Sequence, residues 1–225
     1  GQLIDRQYGH WMKIWNELTL PAGKTAGYEA MVKPAANATA YVPLEFWFCR
    51  NVGLALPLIA LQYHEVKINI EFATSAATNL DAELWADYIF LDTDERRRFA
   101  QLSHEYLIEQ VQYQSFSSSN TSDLNFNHPV KELIWAATTG TAASGDNMTD
   151  GWGDPTGALG GSFADFATNA TTMKLRLNGH DRFASQDVDY FTRYQPMEYH
   201  GNLSRANVMD SIGVYSFALK PEEHQ

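Results

Sequence analysis

The chain has almost no cysteine, little positive charge and no long apolar run, and each shortage removes a class of protein. A single Cys49 in 225 residues allows no internal disulfide framework and fits folding in a reducing compartment. Lys and Arg number 16 against 27 Asp and Glu, a formal charge of −11. That balance repels a phosphate backbone and no basic stripe overrides it, so direct nucleic-acid binding is not expected. The one dense basic run, Arg96-Arg97-Arg98, follows Asp92, Asp94 and Glu95 and reads as a solvated helix with internal charge pairs. The longest apolar run, Val52 to Leu61, contains Gly53 and Pro57 and is half the roughly 20 residues of a membrane helix. Gly1 to Asp5 carry neither the basic start nor the apolar core of a secretory leader. The chain begins at Gly and stops at Gln225 in mid-pattern, so we expect a piece of a longer polypeptide.

Patterns for catalysis and metal binding are also missing. No His-Glu-x-x-His, paired-Cys or His-x-His spacing supports zinc. Ser162 and the other serines lack a Gly-x-Ser-x-Gly elbow, and Gly157 to Gly161 lack the Lys-Ser/Thr that ends a phosphate loop. The run from Asp146 to Gly151 departs from a calcium loop, with Met148 at the third position and Gly157 at the twelfth. Cys49 beside Arg50, in an aromatic strand, is expected to be a buried, inert thiol. Tyr63-His64-Glu65 sets an imidazole next to a carboxylate, but strand neighbours face opposite sides, so His64 is expected to be structural. His180-Asp181-Arg182 follows Asn178-Gly179 and reads as a polar turn network. No pair among the 27 acids stands out as a glycosidase pair. Neither a cofactor nor an enzymatic activity is expected. Asn-x-Ser/Thr sequons occur at Asn37, Asn120, Asn147, Asn169 and Asn202; without a secretory signal they read as Asn/Thr-rich surface, with glycosylation the alternative.

What is present is sheet signal. Hydrophobic residues make up 44% and charged ones 19%, a globular balance, while aromatics at 13% suit pleated, half-buried surfaces. Asp5 to Leu18, with Tyr8, Trp11, Met12, Trp15 and Leu18 on one face, predicts a helix ended by Pro21 and Gly23. Residues 21–40 are loop-like. Strands are predicted at Tyr41 to Phe48, Val66 to Phe72, Leu84 to Leu91, Glu105 to Phe116, Val130 to Thr138, Met173 to Leu177 and Val214 to Leu219. Thr74 to Asn79 is the best candidate boundary. Asp92, with Glu95 three residues on, predicts a capped helix to Gln101. Thr139 to Thr172 reads as a long surface loop, and Asp181 to Tyr199 as short helix and turns. A weak repeat pairs Asp5-Arg6 with Asp181-Arg182, each ahead of aromatic residues, a loop and an aromatic strand, at an offset of roughly 170 residues.

The run Leu44-Glu45-Phe46-Trp47-Phe48-Cys49-Arg50-Asn51, continuing from Gly53 through Leu56-Pro57 and Tyr63-His64-Glu65-Val66, resembles a signature of the major capsid proteins of nucleocytoplasmic large DNA viruses. Four further runs resemble that family in the same order. They are Ile4 to Gly9 with Trp15 to Thr19, Asp92 to Ala100, Leu177 to Phe183, and Tyr215 to Glu222. The resemblance implies an all-β fold, a tandem double jelly roll of two eight-stranded β-sandwiches, each incomplete here, with short helices in the connections. Residues 1–78 would be the C-terminal part of the first jelly roll and 79–225 the N-terminal and middle part of the second. Phe46, Trp47, Phe48, Arg50, Leu56, Pro57, Tyr63, His64 and Glu65 would be structural signature residues.

The implied role is assembly. A homotrimer of pseudo-hexagonal outline would meet neighbouring capsomers and minor capsid proteins. Many such trimers would tile an icosahedral shell around an internal membrane, without membrane insertion. The place would be the virion capsid, assembled in the host cytoplasm, with segment 139–172 as an outward loop. The competing reading is a jelly-roll carbohydrate-binding module or glycosidase, since that architecture also hosts lectins.

Overall fold

A computed structural model describes residues 2–32, 39–72, 81–115, 121–136, 172–201 and 212–224. They belong to two compact units, one built from Gly1–Asp5 with Glu45–Val111 and the other from Arg6–Leu44 with Gln112–Gln225.

In the second unit, helix α1 (Gly9–Thr19) carries a Lys13–Glu17 ion pair at 3.2 Å, one turn apart. It ends at Leu20, whose extended backbone is what a following Pro21 demands. The sequence pattern starts this helix four residues too early and misses Ile14, which is buried together with Trp15 and Leu18. A 3-10 turn (Ala22–Lys24) runs into α2 (Thr25–Val32), where a loop is predicted. Ala26, Ala30 and Met31 are good helix formers, and Tyr28 supplies the buried contact.

Strands β1 (Glu132–Ala136) and β6 (Ile212–Ser216) pair antiparallel, with Ile134 opposite Val214 and Trp135 opposite Gly213. Period-2 alternation gives this ribbon two faces, and both are covered. Ile212 and Val214 pack with Ile14 and Leu18 of α1, joined by Ile134 and Ala136. On the other face Trp135 meets Phe191, and Tyr215 meets Phe183 and Phe217. Hence every residue of β6 is buried.

Between these strands lies a hairpin in two registers. Outer strands β2 (Thr172–Met173) and β5 (Gln186–Asp187) pair, as do inner strands β3 (Arg176–Leu177) and β4 (His180–Asp181). Asn178 and Gly179 form its tip at φ 51° and 81°, the positive-φ pair that an Asn-Gly turn supplies. A π-helical turn (Tyr190–Tyr194) then leads directly into α5 (Gln195–Tyr199), with Pro196 in its first turn.

The expected strand at Tyr41 to Phe48 gives way where the chain enters the first unit at Glu45. Trp47–Arg50 form a short helix, α3, followed by a 3-10 turn at Val52–Leu54. Aromatic content argued for a strand, but Asn51 instead accepts a hydrogen bond from the Gly53 amide at 2.8 Å and turns the chain. Helix α4 (Thr93–Gln101) has the boundaries its capping box predicts: Asp92 accepts from the Glu95 amide at 2.8 Å, and Glu95 reaches back to the Asp92 amide.

Val66 to Phe72, Leu84 to Leu91 and Glu105 to Ser115 form no ladder among the described residues. The described strands therefore make three two-stranded antiparallel sheets, joined by short helices, and no eight-stranded sandwich is formed among them. The boundary Thr74 to Asn79 lies outside the described residues, as does nearly all of the loop Thr139 to Thr172.

Candidate functional site

The signature residues are not gathered into a reactive centre. Trp47 is buried, edge-on to Phe48 and 6.0 Å from the Tyr106 ring; Phe46 stacks on Phe48 at 5.4 Å. Tyr106 donates to the Ala55 carbonyl at 3.4 Å, and Arg50 pairs with Glu109 at 3.3 Å. These contacts pin the signature segment to residues 105–111 of its own unit. Leu56 and Pro57 are half-buried where the chain turns.

Tyr63, His64 and Glu65 differ from the strand geometry expected of them. They leave a turn in which the His64 amide donates to the Leu61 carbonyl at 2.8 Å, and all three side chains are exposed. His64 is exposed, and Glu65 pairs with Lys67 at 3.0 Å. Cys49 corrects a second expectation, because it is exposed and not buried. Partial desolvation still pushes its thiol pKa up, away from the thiolate a nucleophile requires.

The polar turn network at His180-Asp181-Arg182 is present. Asp181 accepts from Lys174 at 3.0 Å and from Arg176 at 2.8 Å, which holds its carboxyl below the usual range. The run Arg96 to Arg98 sits on the exposed α4, where Arg97 pairs with Asp94 at 3.3 Å. Asn37, Asn120, Asn147, Asn169 and Asn202 all lie outside the described residues, as does the run Asp146 to Gly151. No cluster able to hold a metal occurs among the described residues, and no described helix is long and apolar enough to cross a membrane. An open hollow of about 450 Å³ is lined by Asp189, Tyr190, Arg193, Tyr194 and Met197.

The most constrained polar cluster is one the sequence does not announce. His200, at the end of α5, has a fully buried side chain. Its Nδ1 lies 3.0 Å from a Glu222 oxygen, and its Nε2 is hydrogen-bonded to Glu132 of β1. Trp15 of α1 meets the ring at 90°, 6.2 Å between centroids. Burial alone would drive the imidazole towards its neutral form, but hydrogen bonds and charge from Glu132 and Glu222 outweigh it and raise its pKa from 6.5 to about 9. Nearby, buried Gln195 donates to the Tyr190 hydroxyl at 2.9 Å and accepts from the Ser216 amide at 3.1 Å, tying the π-turn to β6. Nothing in this cluster presents a nucleophile to solvent; it joins four segments of one unit.

Comparison with known proteins follows the chain from end to end. Residues 1–92 match the family described as major capsid protein N-terminus, and residues 95–225 match large eukaryotic DNA virus major capsid protein. The major capsid protein of Pyramimonas orientalis virus is 46% identical over 264 residues, covering 100% of this chain and 62% of that protein. That of Paramecium bursaria Chlorella virus 1 is 36% identical over 273 residues, covering 100% and 60%. Among solved structures, PBCV-1 VP54 fitted into a reconstruction of the virophage Sputnik superposes with a TM-score of 0.67 at 33% identity, over 99% of this chain and 63% of that one. The quasi-atomic model of the PBCV-1 virus capsid gives 0.66 at the same identity. The chain thus spans about three fifths of the length of these relatives.

Proposed function

The chain belongs to the family of large eukaryotic DNA virus major capsid proteins, and from that premise we propose that it is part of a shell subunit that works by self-association. The observation that carries this reading is the pair of adjacent family matches, at 1–92 and 95–225, in the order the family has them. Each subunit is a double jelly roll, with 1–78 in the first sandwich and 79–225 in the second. Three copies form a pseudo-hexagonal homotrimer, and trimers meet one another and minor capsid proteins in an icosahedral virion shell assembled in the host cytoplasm. Repetition of one modest contact under symmetry makes such an assembly stable. The role is structural, not enzymatic.

Support for a rigid wall comes from the signature segment, where Trp47 is buried and Arg50 is held by Glu109. We assign Phe46, Trp47, Phe48, Arg50, Leu56, Pro57, Tyr63, His64 and Glu65 to that wall. Relatives named as capsid proteins lend the carbohydrate-binding alternative no support. Sedimentation and electron microscopy of the full-length protein test the assembly: trimers are expected, and monomers persisting at high concentration would sink the reading.

A further inference from the structure

Both ring nitrogens of His200 face a carboxylate oxygen, Glu132 on one side and Glu222 on the other. An ionised carboxylate only accepts, so each nitrogen must carry a proton, and the ring is an imidazolium. Glu132 belongs to β1, Glu222 to the turn that follows β6, and His200 caps α5, so one buried cation joins three segments distant in sequence. Glu222 also accepts from the Gly201 amide at 2.9 Å. We propose that His200 is a charged fastener whose deprotonation in alkaline solution loosens residues 217–224 from β1 and α5.

The groups facing the ring are few. From β1 comes Glu132, with Lys131 beside it donating to the Glu223 carbonyl at 2.6 Å. From the turn after β6 comes Glu222, while the Glu223 carboxylate is engaged by Lys220 at 3.0 Å. From α1 comes the uncharged Trp15 ring, and on α5 itself Glu198 and Tyr199 precede the histidine. Among the described residues, His200 is the cation that bridges Glu132 and Glu222. Once the ring loses a proton, one carboxylate is left facing a bare nitrogen lone pair in a buried site. That contact is repulsive, unlike the bond it replaces, and the ring nitrogen, fully buried, has no water to turn to.

The direction in pH follows from the sign of the shift. The folded-state value, about 9, lies above the ordinary 6.5, so the fastening is complete below 6.5 and fades as pH rises through 9. Acid does not release it by this route. Other ties of the segment are the amides of Phe217 and Ala218, both donating to the Lys131 carbonyl, at 3.0 and 3.2 Å, the Glu223 carbonyl, which accepts from Lys131 Nζ at 2.6 Å, and the buried Pro221. The amides and Pro221 hold its start and middle, while its end is shared between Lys131 and the carboxylate of Glu222, and only the second of these depends on the charge of His200.

The test uses the native full-length protein between pH 6 and 10.5. Exchange of the histidine C2 proton, read by mass spectrometry, reports the protonation of His200 directly; a midpoint near 9 is expected, and one at or below 7.5 overturns the proposal. Amide exchange within residues 217–224, corrected for the intrinsic chemical rate, should accelerate at least tenfold across that midpoint, while β6 and α4 serve as unaffected controls. No acceleration overturns the proposal. In His200→Gln the segment should be open already at pH 7 and insensitive to pH, and a wild-type profile in that variant overturns it too. Should His200→Gln fail to fold, Glu222→Gln, which leaves one carboxylate, must shift the C2 midpoint downward; an unmoved midpoint counts against the fastener.

Discussion

Trp135 and Gly213 face each other directly across the β1–β6 ladder, and the indole fills the space where any larger residue at 213 would put its Cβ. An aromatic laid over a glycine covers exposed backbone, and it makes the pair interdependent. Gly213→Ala should destabilise the protein by about 1–3 kcal/mol through overpacking. Trp135→Val in the same chain should recover part of that loss. Urea unfolding of both single variants and the double variant measures the coupling, which simple additivity would contradict.

Leu18 is 1% exposed and touches the sheet through Ile212 and Val214. Leu18→Ala should cost about 2–5 kcal/mol, the range for a leucine truncated in a core that cannot collapse fully. An exposed leucine such as Leu219, at 84%, gives the contrast. Its alanine variant should unfold within about 0.5 kcal/mol of wild type.

Helix α4 buries none of its residues, so its stability is local. Asp92→Ala removes the side-chain acceptor of the capping box and should weaken the helix by about 0.5–2 kcal/mol. Amide exchange at Glu95 and Arg96 should quicken, whereas the global unfolding midpoint should stay put. A large shift in that midpoint would mean α4 is packed against something.

Asp181 is held below its ordinary carboxylate value of 3.8 by hydrogen bonds from Lys174 and Arg176. A depressed folded value means the contribution is present above 3.8 and lost as pH falls through the lower folded value. Protection of the hairpin amides should therefore decline on acidification. Asp181→Asn should remove that acid dependence and leave Lys174 and Arg176 without their shared anion.

Local chemistry was legible wherever it acts over a few residues. Asp92 with Glu95 marked the start of α4, and Asn178-Gly179 marked the hairpin tip, because caps and turns are decided by neighbours in the chain. Strands expected at Val130 to Thr138 and Val214 to Leu219 are found at Glu132–Ala136 and Ile212–Ser216, the second displaced towards the N-terminus. Val66 to Phe72 alternates without a slip, yet alternation states only which face is apolar, and a ladder needs a partner strand. Trp47 to Arg50 misled through aromatic content, which follows packing more than backbone preference. His200 was invisible because its partners stand 68 and 22 positions away, and no pattern of residue types encodes such a meeting. The resemblance carried the family, but its periodicity could not place Cys49 or His64, both of which turned out exposed.

The sheet that Leu18 packs on is closed by β6, so residues about 200 positions apart must meet before that core exists. During synthesis α1 has to wait, its apolar face exposed, until β6 has been made. A truncated product would therefore keep α1 uncovered and be marked for chaperones or degradation. The long-range closure thus acts as a check that the chain has been made at least as far as β6.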